Sequence, residues 1–157
     1  EDVQAVARII AEAKYVLFLG RGPNYPTALE GALKLKEVTY IQCEGLAAAE
    51  MKHGPIALIG KGTPVIFLAP QDALRTKTMS NMEEVKARGA TIIAVANPGD
   101  TEVQELADYV LEVPETHDLL TPFLGVLPLQ LLSYHVAVLL GRDVDKPRNL
   151  AKSVTVE

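Results

Sequence analysis

Three ionisable residues, Glu30, Lys34 and Glu37, stand at i, i+4 and i+7 in the segment Pro26-Thr-Ala-Leu-Glu-Gly-Ala-Leu-Lys-Leu-Lys-Glu37. On a helix that spacing puts all three on one face. The face is either a solvated stripe of two ion pairs or a carboxylate base with a lysine beside it. A second cluster, Glu50-Met-Lys-His-Gly-Pro55, places His53 before a Gly-Pro turn. Histidine alone among side chains has an unperturbed pKa near neutrality, so on a loop it is either a proton carrier or a plain capping residue. His117, in a polar loop, and His135, in an apolar run, are weaker candidates. The stretch Asp145-Lys-Pro-Arg-Asn-Leu-Ala-Lys-Ser-Val-Thr-Val-Glu157 carries Arg148 and Lys152 close together. It reads as a mobile end or as an arm that folds over a site and delivers Lys152 as an amine nucleophile. Gly20-Arg21-Gly22 has part of a phosphate cradle. The G-x-G-x-x-G spacing fails at Tyr25 and no Gly-Lys-Ser/Thr follows, so a tight strand-to-helix turn is the simpler reading.

The elements that must position these residues alternate along the chain. Val3, Val6, Ile9, Ile10 and Ala13 repeat at helical spacing and predict a helix over 2–13. Short apolar runs predict buried strands at 15–19, 64–69, 91–96 and 109–113, with an edge strand at 40–45. Pro26 opens a helix that runs to about Thr39. A polar helix spans 72–88 and ends at Gly89, a helical turn covers 102–107, and a long apolar helix covers 121–140. Segment 46–60 is irregular, and 142–157 is a polar tail without periodicity. Buried strands between helices predict a parallel sheet of four to five strands in a three-layer α/β/α sandwich. Ligands in such folds bind at the carboxyl ends of the strands. The helix bearing Glu30 begins there, which places its charged face where a ligand sits.

Composition narrows the classes. The chain has 157 residues, 48% hydrophobic and 22% charged, with a formal net charge of −5. That is one globular domain of ordinary size, and it argues against disorder. An acidic chain without a basic run is a poor nucleic-acid binder. The single Cys43 excludes an internal disulfide, and zinc spacings are absent. One buried thiol suits a reducing cytoplasm. The amino terminus lacks a basic region followed by an apolar run, so no signal peptide is expected. It also lacks an initiator Met, which suggests a piece of something longer. The stretch 124–140 is interrupted by Pro128, Gln130, Ser133, Tyr134 and His135, so it suits a buried helix better than a membrane span.

Leu29 to Glu37, Glu50 to Pro55, Pro128 to His135 and Asp145 to Glu157 together closely resemble the isomerising glutamine:fructose-6-phosphate aminotransferases, the glucosamine-6-phosphate synthase family. The resemblance covers nearly the whole chain, and its tail is the most specific part. It implies a sugar-isomerase (SIS) domain of flavodoxin-like topology, the second of a tandem pair. Residues 1–157 would form that one domain, with 142–157 closing over the sugar site. It implies a sugar phosphate ligand (fructose 6-phosphate and glucosamine 6-phosphate), a homodimer, and a first SIS domain and glutaminase domain as partners. No metal or other cofactor is implied. Cys43 lies mid-chain, so glutamine hydrolysis is not expected of this chain. The family's phosphate sits mainly on a Ser/Thr-rich loop of the first SIS domain, whereas the matching loop here, Gly20 to Thr27, has no serine.

Residue by residue, Glu37 matches the carboxylate that shuttles a proton between C1 and C2 of the sugar. His53 matches the histidine linked to ring opening, supplied from the neighbouring subunit. Lys152 matches the lysine that forms an imine with the open-chain ketone. Lys34 matches a lysine near the substrate oxygens, and Glu30 a carboxylate that orients its neighbours. Two other expectations share parts of this pattern. One is a free-standing SIS module that binds a phosphosugar and regulates another protein. The other is a simple aldose–ketose isomerase or deglycase, which should lack this tail.

Overall fold

The computed structural model describes residues 2–150. Five strands form one sheet: β1 (Tyr15–Gly20), β2 (Gln42–Ala47), β3 (Pro64–Leu68), β4 (Thr91–Ala96) and β5 (Tyr109–Glu112). Every pairing is parallel, in the order β2-β1-β3-β4-β5. This is the flavodoxin-like order, whose topological switch point lies between β1 and β3.

Period-two side chains divide the core between the two sheet faces. Val16, Phe18, Ile66, Leu68, Ile93 and Val95 meet α1 (Asp2–Ala11), α2 (Asn24–Thr39) and α5 (Thr121–Leu139). Leu17, Leu19, Val65, Phe67, Ile92 and Ala94 meet α3 (Arg75–Lys86) and α4 (Thr101–Leu106). Both faces are therefore covered, as continuous apolar strands require. The first and last helices are neighbours: Val6 and Ile10 of α1 share a core with Leu129, Leu132 and Val136 of α5.

The helix spanning Asp118–Leu139 is long and apolar enough to cross a membrane by length and composition alone. Here one side of it fills the core beside α1 and α2. Its other side exposes Phe123, Leu127, Leu131, Tyr134 and Val138, with Phe123 69% exposed.

Several boundaries differ from the sequence expectation, and three starts have a local cause. Helix α2 starts at Asn24, so Pro26 sits inside the first turn, where its missing N–H is an orphan donor anyway. Strand β2 starts at Gln42 because Tyr40 adopts the left-handed conformation (φ 66°) and ends α2 there. Helix α3 starts at Arg75 because Asp72 closes a turn instead. Its Oδ1 accepts from the Leu74 N–H at 2.8 Å.

Close approach fixes α2 on the sheet. A Cβ on Gly45 of β2 would lie 2.7 Å from the Leu29 Cα and 2.8 Å from the Ala28 carbonyl oxygen. Only glycine lets the helix backbone sit that near the strand.

Candidate active site

Lys34 Nζ donates to Glu37 Oε2 at 2.5 Å, and Glu30 Oε1 lies 3.8 Å from the same ammonium. The three residues share one helix face, as their spacing requires. Glu37 Oε1 makes no hydrogen bond among the described residues. Lys34 and Glu37 are partly shielded, with side chains 33% and 27% exposed. The hydrogen bond from Lys34 to Glu37 raises the lysine pKa above its ordinary value, against a smaller opposing effect of burial.

The cluster extends away from the strand ends where the sequence expectation put it: Glu30 lines a groove with Pro26 and Thr27 near the start of α2, whereas Lys34 and Glu37 lie farther along. Helix α2 starts at the carboxyl end of β1 and runs back along the sheet. Lys34 and Glu37 lie ten and thirteen residues into it, which is about 15–20 Å along the axis from its start. The strands' carboxyl ends are behind them. Charge spacing defines a helix face but not a level along it.

Part of the region at the strands' carboxyl ends is stitched shut by buried amides, although the groove of about 260 Å³ lined by Pro26, Thr27, Glu30, Pro122, Phe123 and Val126 lies beside the first turns of α2. Asn97 accepts from the Gln71 N–H at 2.7 Å and donates to the Val113 carbonyl at 3.0 Å. Asn24 donates to Asp72 at 3.2 Å, and its Oδ1 lies 3.2 Å from the Thr121 hydroxyl. The cavity left among Asn24, Asn97, Val113 and Thr121 is about 10 Å³, room for one water. Arg21 spends its guanidinium on Asn81 Oδ1, at 3.0 and 2.8 Å. The Asn24 and Tyr25 N–H groups donate to the Arg21 and Gly22 carbonyls. Gly20 to Thr27 is thus a tight strand-to-helix turn.

At the far end of α2 the surface opens. A groove of about 260 Å³ is lined by Lys34, Val38, Gln130, Ser133, Tyr134, Val144 and Asp145. Two of those residues belong to the segment after α5. That segment is tied down at Tyr40. The Arg148 N–H donates to the Tyr40 hydroxyl at 2.9 Å. The guanidinium carbons of Arg142 and Arg148 lie 5.2 and 4.1 Å from the ring centroid. Lys152 falls outside the described residues.

His53 ends a 3₁₀ segment, Ala48–His53, that follows the carboxyl end of β2. It is solvent-exposed, and Gly54 follows it at φ 142°, a backbone conformation that residues with a Cβ rarely adopt. Lys52 bonds Glu84 of α3 at 2.5 Å, which anchors the segment and holds the Glu84 carboxyl below its usual range. Glu37 precedes the amino end of β2, so the length of that strand, about 17 Å, separates it from His53. The structure brings Glu30, Lys34 and Glu37 together and leaves His53 apart from them. His117 caps the turn before α5, its Nδ1 accepting from the Leu119 N–H at 3.3 Å. His135 stacks edge-on against Tyr134 at 5.3 Å. Cys43 is buried, and burial pushes its thiol up to about 12, so it is inert at neutral pH. No group of three or more His, Cys, Asp or Glu among the described residues is placed to hold a metal.

The SIS domain family model matches residues 9–140. The chain belongs to the SIS family. This SIS domain is 59% identical over 155 residues to the isomerising glutamine–fructose-6-phosphate aminotransferase of Thermus thermophilus, a match covering 99% of the chain and 26% of that protein. The chain therefore spans about a quarter of the length of the curated relatives it matches. Its structure superposes on the C-terminal domain of glucosamine-fructose-6-phosphate aminotransferase from Francisella tularensis with a TM-score of 0.84 at 42% identity, over 92% of this chain and 41% of that one. It superposes on glucosamine-6-phosphate deaminase from Thermotoga maritima with a TM-score of 0.72 at 27% identity, over 98% of this chain and 46% of that one. The SIS domain is thus homologous to the carboxyl-terminal isomerase part of the aminotransferases.

The packing of Arg142 on Tyr40, beside the groove, is a contact that sequence reasoning missed. It joins positions about a hundred residues apart, and no local pattern signals it.

Proposed function

We propose that this SIS domain supplies the isomerase chemistry of an isomerising glutamine:fructose-6-phosphate aminotransferase, acting on fructose 6-phosphate in the cytoplasm. The observation that carries the reading is the Lys34–Glu37 pair, partly shielded, beside a groove walled by the segment that leads to Lys152.

The chemistry follows from the groups. Lys152, as a free amine, attacks the open-chain ketone at C2 and expels water as an imine forms. Ammonia displaces the lysine and leaves nitrogen on C2. Glu37 takes the C1 proton; the C1–H pair forms the C1=C2 bond as the C=N pair moves onto nitrogen. Return of the proton to C2, with transfer of the C1 hydroxyl proton to the nitrogen, leaves an aldehyde at C1 and an amine at C2. The two carbons are adjacent, so one fixed carboxylate reaches both. Lys34 holds Oε2 of Glu37 and leaves Oε1 for the proton; Glu30 orients Lys34.

His53 stands a strand length from Glu37 within one chain, which supports its service in the site of a second copy. The apolar face of α5 (Phe123, Leu127, Leu131) supports the same homodimer, or the neighbouring SIS and glutaminase domains of the longer relatives, as its cover. Sedimentation of the gene-encoded polypeptide as monomer alone at micromolar concentration would count against the dimer. The chemical test is Glu37→Gln in that polypeptide. Fructose 6-phosphate should still bind, measured by calorimetry, while glucosamine 6-phosphate formation is lost. Retained turnover would mean another carboxylate is the base.

A further inference from the structure

We propose that Asn81 and Glu84 of α3 are positioning residues that hold His53 in place for the sugar ring, acting through Lys52. This rests on the reading of His53 as the histidine of ring opening.

The first observation is how the His53 segment is rooted. Within Ala48–His53, the side chains of Ala48 and Met51 are fully buried and share a core with Met82 and Val85 of α3. Beyond Met51 that grip ends. Lys52 and His53 are exposed. Gly54 then leaves the segment at φ 142°, and a glycine has no side chain with which to hold it.

The second observation is what Lys52 reaches. Its Nζ meets Glu84 Oε1 at 2.5 Å. That carboxylate is itself oriented, because its Oε2 accepts from Asn81 Nδ2 at 3.4 Å. Asn81 Oδ1 in turn accepts from Nε and Nη2 of Arg21 at 3.0 and 2.8 Å. Arginine offers only donors and an ionised glutamate only acceptors, so the amide between them has one orientation. Asn81 is 3% exposed. Aspartate there would set an acceptor against Glu84, and leucine would take the acceptor from Arg21. Linked hydrogen bonds polarise one another. This chain of them runs from the turn after β1 to the residue before His53.

The third is the frame. Asn81 and Glu84 stand at i and i+3 on α3, one face of a helix. The same helix supplies Met82 and Val85 to the core that takes Met51. The root of the segment and its outer anchor thus share one rigid element, and His53 is one residue from a fixed point.

The chemistry needs such a fixed point. Ring opening breaks the C2–O5 bond. O5 keeps the electron pair and gains a proton, while the hydroxyl on C2 loses one and becomes the carbonyl. An imidazole moves those protons only from within about 2.6–3.2 Å of the oxygen.

The test compares fructose 6-phosphate with its 5-deoxy analogue in the gene-encoded polypeptide. The analogue lacks the hydroxyl that closes the furanose ring, so it is open-chain from the start. The readout is the ratio of the two kcat/KM values, ring substrate over open-chain one. Glu84→Leu should lower this ratio about two- to fivefold, the effect of losing one partly exposed ion pair. Glu84→Lys makes the contact repulsive by a similar amount and should lower it by the square of that factor, about 4- to 25-fold. Asn81→Asp keeps an acceptor for Arg21 but turns the group facing Glu84 from donor to acceptor, and should act in the same direction as Glu84→Leu. Lys52→Met combined with Glu84→Leu should lower the ratio no more than either alone, since both remove one contact. The kcat/KM of the analogue should stay at the parent value throughout, which a general folding defect would not allow. His53→Asn separates the two readings. If it lowers the ratio while Glu84→Lys leaves it at the parent value, α3 positions nothing. If His53→Asn leaves the ratio unchanged, the ring-opening reading fails, and the positioning role with it.

Discussion

The two ends of α2 are built differently, although each borders a groove of about 260 Å³. Its amino end lies at the topological switch point, the usual ligand cleft of an open parallel sheet. There the buried amides of Asn24 and Asn97 stitch the loops together and leave a cavity of about 10 Å³. Its carboxyl end carries the ion pair of Lys34 and Glu37, the Tyr40 anchor and an open groove. A shared topology does not carry a shared site with it. Polar groups that satisfy one another make a joint, and only groups left with a spare valence make a site.

The largest expected effect breaks this contrast if it fails. Glu37→Gln should lower kcat by about 10²–10⁴, the cost of a lost general base, measured at saturating substrates in the gene-encoded polypeptide. The amide keeps the shape of the carboxylate but does not accept and return the proton. A solvated ion pair in the same place would leave the rate nearly unchanged. Gly45→Ala tests the scaffold. The added methyl meets the backbone of α2 at Ala28 and Leu29, which has no side chain to yield. A loss of about 1–3 kcal/mol, seen in thermal melts, is expected from such overpacking.

Asn97→Ala probes the stitched end. It strands the buried Val113 carbonyl, at a cost of about 1–2 kcal/mol, and kcat of the remaining folded protein should match the parent. A rate loss there without a stability loss would make the stitched end part of the site. The smallest effect sharpens the other end. Lys34→Met should cost at most about 1 kcal/mol of stability, because the pair is a third exposed and screened. The folded-state pKa of Lys34 is raised, so this contribution is fully present below the ordinary lysine value of 10.5. It is lost as pH rises beyond that value. Melting curves of parent and variant should run parallel at neutral pH and converge in strong alkali.

Most of the sheet was legible because its strands are uninterrupted apolar runs. The strands expected at 15–19, 64–69, 91–96 and 109–113 match β1, β3, β4 and β5 to within a residue. Expectation slipped where a side chain overrode the pattern, as Tyr40 does before β2 and Asp72 before α3. The shared face of Glu30, Lys34 and Glu37 was legible from spacing alone. The place of Lys34 and Glu37 at the far end of the helix was not, because the helix is long enough to carry a face away from the strand ends. The Tyr40 anchor was illegible for a different reason. Its partners come from the end of the chain, and only the folded structure brings them together.

The contact between α1 and α5 also has a meaning in time. The apolar face of the first helix, Val6 and Ile10, finds its partners Leu129 and Val136 only after nearly all the intervening chain exists. Ribosomes add roughly 5–20 residues per second, so that face waits on the order of 6–25 s during synthesis. For that interval an early helix stands exposed beside an unfinished sheet. The stage at which this domain is most open to wrong partners is therefore set by which helix is made last.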